Sequence, residues 1–212
     1  MSTSRVHPRN AASLVIYRRR GGQVEILMGK RPSKASFIPD AFVFPGGRMD
    51  ATDRLIPIDR PLPKITHTQM HPHGAANRDK AAILATTALR ETFEETGLMI
   101  GPKTDGTDLP FLPDQADMFF LGRAITPPES PIRFHARFFI TDGAATHGTL
   151  RSNGELNELD WYPIDEALKL PIIDVTEFML GETKRRLADD NAASTPTPLF
   201  TYYGGKPKIR YL

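Results

Sequence analysis

The stretch AAILATTALRETFEETGL, residues 81–98, decides the fold of this chain of 212 residues. It belongs to a helix predicted over Arg78 to Thr96, with Asn77 as N-cap and Gly97 as the residue that ends it. At about 100° per residue, one arc of the helix carries three glutamates: Glu91, Glu94 and Glu95. The opposite side carries apolar residues that are expected to face the core: Ala82, Ala85, Leu89 and Phe93.

This acidic arc is electrostatically unfavourable for an isolated helix. Like charges three and four residues apart repel each other, and the last turns of a helix disfavour anions. No basic residue follows one turn later, because Gly97 ends the helix. A hard divalent cation such as Mg²⁺ or Mn²⁺ would turn the repulsion into binding, since clustered carboxylate oxygens are its preferred ligands. The alternative interpretation is a solvated acidic face.

The residues before this helix alternate short apolar runs with turns. Apolar runs at residues 12–17 and 24–28 flank Gly21-Gly22, which predicts a β-hairpin. A short strand over residues 42–44 ends at Pro45-Gly46-Gly47. Residues 54–76 hold several prolines and histidines without a sustained period, so they are predicted to be an inserted excursion.

The second half of the chain predicts more strands than helices. Strands are expected at residues 118–121, 134–140 and 156–162. A helix to about Leu187 is expected to open with a capping box at Asp174. These elements indicate an α+β fold, because strands and helices mix without regular alternation. The predicted organisation is a flexible N-terminus (1–11), one domain (12–189), and a linker with a C-terminal arm (190–212).

The composition excludes several classes of protein. The chain has no cysteine, which excludes a disulfide scaffold, a thiolate zinc site and a cysteine nucleophile. A net charge of +2 gives no argument for nucleic acid or membrane binding. No apolar run approaches the length of about 20 residues that a membrane span needs. A soluble, cytoplasmic protein with a small-molecule substrate is therefore expected.

The sequence resembles the Nudix hydrolase family. The family's box reads Gly, five residues, Glu, seven residues, then Arg-Glu-U-x-Glu-Glu-x-Gly-U, where U is bulky and apolar. RETFEETGL, which begins at Arg90, matches the second half, and Gly47 followed by Asp53 matches the first half with Asp in place of Glu. Because 36 residues separate Asp53 from Arg90, the resemblance implies a box interrupted by an insertion within residues 54–76. It also implies a mixed β-sheet sandwiched between helices.

An interrupted box is similar to one Nudix branch, which includes the peroxisomal coenzyme A diphosphatases. LMGKRPSKASFIPDAFVFPGGRMD (residues 27–50) and ITPPESPIRFHARFF (residues 125–139) are similar to that branch on either side of the box. The chain ends Arg-Tyr-Leu and not Ser-Lys-Leu, so the peroxisomal address is not expected. The insertion is expected to rim the active site and to affect which substrates are accepted.

The resemblance implies which residues carry the chemistry. It implies a Mg²⁺ or Mn²⁺ site formed by four residues: Gly46, through its carbonyl, and Glu91, Glu94 and Glu95. The catalytic base is left open among Glu91, Glu155 and Glu158. Arg90 is expected to orient one of the box carboxylates.

An anionic substrate also needs basic partners. Four arginines near the predicted strands and the glycine pair are candidates: Arg31, Arg48, Arg133 and Arg137. Because Arg133 and Arg137 are four residues apart, they share one face of a strand. That face is either a phosphate-binding wall or the solvated side of the sheet.

The predicted function is metal-dependent hydrolysis of the pyrophosphate in a nucleoside diphosphate linked to another moiety, X. Coenzyme A or an acyl derivative is the first candidate. The alternatives are ADP-ribose, NADH or another nucleotide conjugate, and a non-catalytic Nudix module that senses a nucleotide. A homodimer is a further possibility, since many Nudix enzymes are dimers.

Overall fold

A long hairpin opens the fold. In this computed structural model, which describes residues 6–71, 78–105, 109–189 and 196–212, strand β1 (Arg9–Arg20) turns into β2 (Gln23–Lys30). The two strands are antiparallel and pair Tyr17 with Ile26. Both residues of the turn, Gly21 and Gly22, have positive φ (57° and 79°), which glycine adopts without steric cost. The predicted hairpin is confirmed.

Within the described ranges, nine further strands and four helices follow the hairpin. The strands are β3 (Phe42–Val43), β4 (Gly46–Arg48), β5 (Leu98–Met99), β6 (Phe119–Ile125), β7 (Phe134–Asp142), β8 (His147–Gly148), β9 (Asn157–Pro163), β10 (Pro198–Tyr203) and β11 (Lys206–Tyr211). The helices are α1 (Lys64–Met70), α2 (Arg78–Thr96), α3 (Ile164–Ala167) and α4 (Asp174–Ala188). Short 3₁₀ turns lie at Ala51–Leu55 and Gly143–Ala145.

Nine of the described strands form one mixed sheet. Its order is β11-β10-β6-β7-β1-β2-β3, with β4 paired to β1 and β9 paired to β2. The pairs β1–β7 and β6–β10 are parallel, and the other pairs of this sheet are antiparallel. β5 and β8 form a separate two-stranded sheet. Strand β1 therefore pairs with β7 along one edge and with both β4 and β2 along the other edge.

Alternating side chains of β1 separate two hydrophobic cores. Leu14 and Ile16 face a core that includes Leu84 and Ala88 of α2. Val15 faces a second core, which includes buried residues of α3 and α4. The sheet is therefore flanked by helices on both faces, and the predicted α+β Nudix architecture is confirmed.

The carboxylate helix ends where the sequence predicts. Gly97 has φ of 73°, and its N–H donates to the Phe93 carbonyl at 2.8 Å. The expected division into one apolar and one acidic side is too simple, because Glu95 is itself buried and only 4% exposed. The predicted N-cap, Asn77, lies outside the described residues.

The structure corrects one further expectation, the capping box at Asp174, and adds detail to two predicted segments. The excursion at 54–76 contains helix α1, whose Met70 is buried in the core on the α2 side, so lack of periodicity did not mean lack of structure. Asp174 forms no capping box, because its carboxylate accepts the Tyr202 hydroxyl at 2.7 and 2.8 Å and Ile173 is the N-cap. Strand β10 of the predicted C-terminal arm pairs with β6 and so extends the sheet of the same chain.

Among the described residues, no helix is long and apolar enough to cross a membrane.

Candidate active site

A cavity of about 610 Å³ lies on the face of the sheet that α3 and α4 cover. Its lining has two chemically different parts. The carboxylate end consists of five residues from β4, α2 and the loop before β9: Gly46, Gly47, Glu91, Glu95 and Glu155. The alanine floor consists of one residue from each of β1, β6 and β7: Ala11, Ala124 and Ala136.

Glu95 is held at the carboxylate end by the backbone of β4. The Gly46 N–H donates to its Oε2 atom at 2.8 Å. Burial raises the pKa of the Glu95 carboxyl to about 8, although the hydrogen bond from Gly46 opposes the shift. The energetic cost of a charge here is therefore high, and it is the kind of cost that a bound cation removes.

The two glycines of β4 allow the helix to approach this closely. Gly46 has φ of 154°, and a Cβ atom there would lie 2.5 Å from the Ala12 carbonyl oxygen. A Cβ atom at Gly47 would overlap the Glu91 carboxylate. A side chain at Gly47 would separate α2 from β4, and a side chain at Gly46 would separate β4 from β1, so Pro45-Gly46-Gly47 does more than make the predicted turn.

Glu91 lies one helical turn before Glu95 and lines the same cavity. Its side chain is 14% exposed, and its Oε1 atom is 2.9 Å from Arg90 Nη1. Burial raises the pKa of the Glu91 carboxyl to about 6, and Arg90 acts in the opposite direction. Two buried carboxylates of one helix thus face the same space.

Arg90 points away from the cavity and joins the helix to the segment after β4. Its Nε atom donates to Asp53 Oδ1 at 2.7 Å, and the Asp53 side chain is fully buried. Asp53 Oδ2 also accepts the Thr87 hydroxyl at 2.6 Å and the Asp50 N–H at 2.8 Å. The two sequence segments that resemble the halves of a Nudix box are therefore in direct contact, although 36 residues separate them.

The structure does not bring all three predicted helix ligands together. Glu94 is 45% exposed, pairs with Arg90 Nη1 at 3.0 Å and does not line the cavity. Across residues 6–71, 78–105, 109–189 and 196–212, no three Asp, Glu, His or Cys side chains stand in an arrangement that could already hold a metal ion. Glu94 would have to leave Arg90 before it could join Glu91 and Glu95.

The two candidate bases from the loop and from β9 occupy different places. Glu155 lines the cavity and acts on the pKa of both Glu91 and Glu95 through its charge. Glu158 does not line the cavity and forms an ion pair with Lys30 at 3.0 Å. Its backbone has φ of 47°, at an irregularity in the pairing of β2 with β9. The cavity geometry therefore favours Glu155 over Glu158.

Two of the four predicted substrate-binding arginines line the cavity. Arg31 follows β2, and its Nε atom is buried without a hydrogen-bond partner. Arg48 lies in β4 and pairs with Asp50 at 3.1 Å. The guanidinium groups of these two arginines are the charged donors that an anionic ligand in the cavity would need.

The other two predicted arginines do not line the cavity, and their side chains form hydrogen bonds within the fold. Arg133 donates to the Val6 carbonyl at 2.8 Å and to the Thr126 carbonyl at 3.2 Å. Arg137 is 1% exposed and donates to Asn10 Oδ1 at 2.8 Å. Their shared strand face is the one opposite to the cavity, which Phe134, Ala136 and Phe138 line.

Sequence reasoning missed Arg9, which also lines the cavity. Arg9 begins β1 and pairs in register with Phe134. The signal was present in the alternation of β1, because Arg9, Ala11 and Ser13 share one face and all three line the cavity. The parallel pairing of β1 with β7, which brings this face to the site, is not readable from the sequence.

The described part of the inserted segment lies away from this cavity. None of the described residues in 54–76 lines it. Leu62 and Met70 instead belong to the core on the α2 side of the sheet. The expectation that the insertion rims the active site is therefore wrong for residues 54–71, and residues 72–76 lie outside the described ranges.

Comparison with known proteins shows which protein family the chain is similar to. The NUDIX domain family matches residues 58–178, which is more than half of the chain. A NUDIX hydrolase from Alicyclobacillus acidocaldarius is 27% identical in sequence, with a TM-score of 0.64. The match covers 82% of this chain and 90% of that one.

Two further solved structures share the fold. A MutT protein from Bacillus halodurans has a TM-score of 0.54 at 16% identity and covers 95% of this chain and 96% of its own. The NUDIX domain of NrtR from Shewanella oneidensis, in complex with ADP ribose, has a TM-score of 0.51 at 14% identity and covers 86% and 90%. Because the family match covers more than half of the chain, including helix α2 with Glu91 and Glu95, the chain belongs to the Nudix family of pyrophosphohydrolases.

Proposed function

We propose that this chain hydrolyses the pyrophosphate of a nucleoside diphosphate linked to another moiety, X, in a reaction that depends on Mg²⁺ or Mn²⁺. The observation that carries the proposal is the juxtaposition of two carboxylates, the partly buried Glu91 and the buried Glu95, with the guanidinium group of Arg31 in the lining of one cavity. Carboxylates suit a cation, and a guanidinium suits phosphate oxygens. Together they match the two charges of a metal-bound phosphoanhydride.

The donor set at the carboxylate end fits a hard divalent cation. Glu91 and Glu95 offer carboxylate oxygens, Gly46 offers a backbone carbonyl, and a chain without cysteine offers no thiolate ligand. Glu94 is the predicted fourth ligand and would have to exchange its contact with Arg90. When bound, the cation supplies charge neutralisation of the pyrophosphate and lowers the pKa of a coordinated water.

Glu155 is the proposed proton acceptor for the attacking water. It lines the cavity, whereas Glu158 is paired with Lys30, and it is exposed enough to exchange protons with solvent. Glu91 is the second candidate, because it lines the same cavity. A carboxylate acts as a general base only within hydrogen-bond reach of the water, directly or through one further water.

Arg90 is proposed as a positioning residue. It contacts Glu91, Glu94 and the buried Asp53, and it does not line the cavity. Its guanidinium fixes the helix against the segment after β4, which in turn sets the distance from Glu95 to Gly46. Arg90 therefore acts through the carboxylates and makes no contact with substrate.

Coenzyme A or an acyl derivative is the proposed substrate. The support is the interrupted box, whose two parts meet through Asp53 and Arg90, together with the sequence segments at residues 27–50 and 125–139 that are similar to the coenzyme A diphosphatase branch. The cavity also contains residues of both segments, including Arg31 and Phe134. The family chemistry by itself leaves X open.

A product-resolved substrate panel tests the proposal. The purified chain is incubated with coenzyme A, acetyl-coenzyme A, ADP-ribose and NADH, each with Mg²⁺, with Mn²⁺ and with a chelator. We expect 3′,5′-ADP and phosphopantetheine from coenzyme A when either metal is present, and no product with the chelator. Faster cleavage of ADP-ribose or NADH would replace coenzyme A as substrate and leave the chemistry intact.

A matched pair of variants tests whether the chain itself hydrolyses the substrate, as opposed to a contaminating enzyme, or only binds nucleotides. Glu95→Gln removes a proposed metal ligand, and Glu158→Gln changes a carboxylate of the same type outside the cavity. The proposal predicts loss of turnover only in Glu95→Gln. A chain that binds nucleotides and hydrolyses none of them with either metal would be a non-catalytic Nudix module.

A further inference from the structure

The alanine floor is produced by the register of three neighbouring strands. Ala11 of β1 pairs with Ala136 of β7, which pairs with Ala124 of β6. On the other side of Ala11, the paired residue is Arg48 of β4. The three methyl groups therefore form one straight row, about 10 Å long over two strand spacings, with Arg48 one spacing further on.

Aromatic side chains wall this row on both sides. Phe134 and Phe138 stand two residues before and after Ala136 on the same face of β7, each about 6.6 Å away along the strand. Phe37 packs edge-on against Phe134 with ring centroids 5.0 Å apart. Phe44 does the same to Phe138 at 6.3 Å. The floor is thus a narrow trough between two edge-to-face aromatic pairs.

The shape and polarity of the trough limit what it can hold. Three methyl groups at one level give a flat apolar surface without hydrogen-bonding side chains, which disfavours sugar hydroxyls and phosphate oxygens. A flat ring makes more contact with such a surface than a bulky or branched group does. Ser36 and Ser130 also line the cavity, and their hydroxyls are the candidate partners for polar ring edges.

We propose that the alanine floor binds the flat heteroaromatic base of the substrate, and that Ala136, its central residue, determines whether a base is accepted. The inference rests on the proposed function, because it assumes that the substrate is a nucleotide. In this arrangement the base lies on the three alanines. The phosphates extend past the end of the row towards Arg48 and the carboxylate end. A larger side chain at Ala136 would fill the trough without touching any carboxylate.

Two small ligands test this assignment without catalysis. AMP and ribose 5-phosphate carry the same sugar phosphate and differ only by the base, and both can be titrated by calorimetry in the presence of chelator. We expect AMP to bind the unmodified chain about tenfold more tightly than ribose 5-phosphate, as stacking of one base against aromatic residues implies. Equal affinity for the two ligands would overturn the proposal.

Three variants locate the effect. Ala136→Leu should erase the preference for AMP and leave the affinity for ribose 5-phosphate unchanged, whereas Ala144→Leu, at an exposed site outside the cavity, should keep the preference. Phe134→Leu removes one wall and should lower AMP affinity severalfold, and it provides the test if Ala136→Leu does not give a cooperative thermal transition. An undiminished preference in a folded Ala136→Leu variant, or in Phe134→Leu when Ala136→Leu does not fold, would overturn the proposal.

The outcome is independent of hydrolysis. A preference for AMP in a chain without turnover would keep the base-binding floor and reject the proposed hydrolase function. Turnover of coenzyme A or ADP-ribose without any preference for AMP would keep the hydrolase and reject the floor.

Discussion

The two parts of the cavity are built in opposite ways. At the carboxylate end, a helix approaches the glycines of β4, and charged side chains are buried at an energetic cost. On the alanine floor, three strands of the sheet present small apolar side chains between aromatic walls. The first arrangement is unfavourable without a bound cation, and the second is stable without any ligand. In the proposed assignment, chemistry and recognition are therefore separated within one cavity.

This separation explains how changes in one part can leave the other intact. The carboxylate end depends on the contact of Gly46 with Glu95 and on the pair between Asp53 and Arg90. The floor depends on strand register, which the parallel pair β1–β7 fixes over nine residues. A substitution that spares the backbone of both elements is expected to affect only one of the two parts.

The largest expected effect is the loss of turnover in Glu95→Gln. The amide oxygen can still accept the Gly46 N–H, so the fold should persist, but the negative charge at this metal ligand is gone. We expect kcat to fall about 1,000-fold, since several kcal/mol of charge stabilisation is removed. AMP binding to the floor, measured by calorimetry, should be unchanged. A parallel loss of AMP binding would show that the two parts are not separate.

The next effect concerns stability. Arg90→Met leaves the fully buried Asp53 carboxylate without its counter-ion, which should lower the free energy of unfolding by about 3–5 kcal/mol. Arg48→Met removes an exposed ion pair, with side chains 52% and 50% exposed, and should cost less than about 1 kcal/mol. Denaturant unfolding of both variants gives the comparison. Similar values for the two would contradict the structural role of Arg90.

Glu155→Gln should slow hydrolysis without preventing metal binding. If Glu155 accepts the proton from the attacking water, kcat should fall about 100-fold, at the lower end of what general bases contribute. Glu158→Gln serves as the control outside the cavity. A normal rate in Glu155→Gln would move the role of base to Glu91.

The smallest effect is expected for the cavity arginines. Arg31→Gln should raise KM about tenfold, because a hydrogen bond to a charged group contributes about 1.5–3 kcal/mol. Arg133→Gln, at a residue that does not line the cavity and whose side chain contacts the backbone carbonyls of Val6 and Thr126, should leave KM unchanged. Steady-state kinetics on the preferred substrate measures both. A larger rise in KM for Arg133→Gln would contradict the assignment of the cavity.

The sequence predicted helix α2 correctly, because local spacing and the residue that ends the helix determine it. The positive φ at Gly97 and the hairpin at Gly21-Gly22 likewise follow from residue type. Helix α1 within the inserted segment could not be predicted, since it is only seven residues long and too short to show a helical period. The capping box at Asp174 failed because Tyr202, 28 residues later, hydrogen-bonds to that carboxylate.

The site itself could be predicted only in part. Gly46, Glu91 and Glu95 belong to a recognisable motif, and the structure brings them together. Arg9 and the alanine floor depend on which strands become neighbours, and a single sequence does not contain that information. The exclusion of Glu94 from the cavity was also unpredictable, because it results from competition by Arg90 on the same helix.

The central claim is that Glu91 and Glu95 hold a divalent cation at the carboxylate end. Titration of the metal-free chain with Mn²⁺, followed by the electron paramagnetic resonance signal of the free ion, tests it directly. We predict that the unmodified chain and Glu158→Gln bind Mn²⁺ with equal affinity, and that Glu95→Gln binds at least tenfold more weakly. Equal binding by all three proteins, or binding by none, would contradict the assignment.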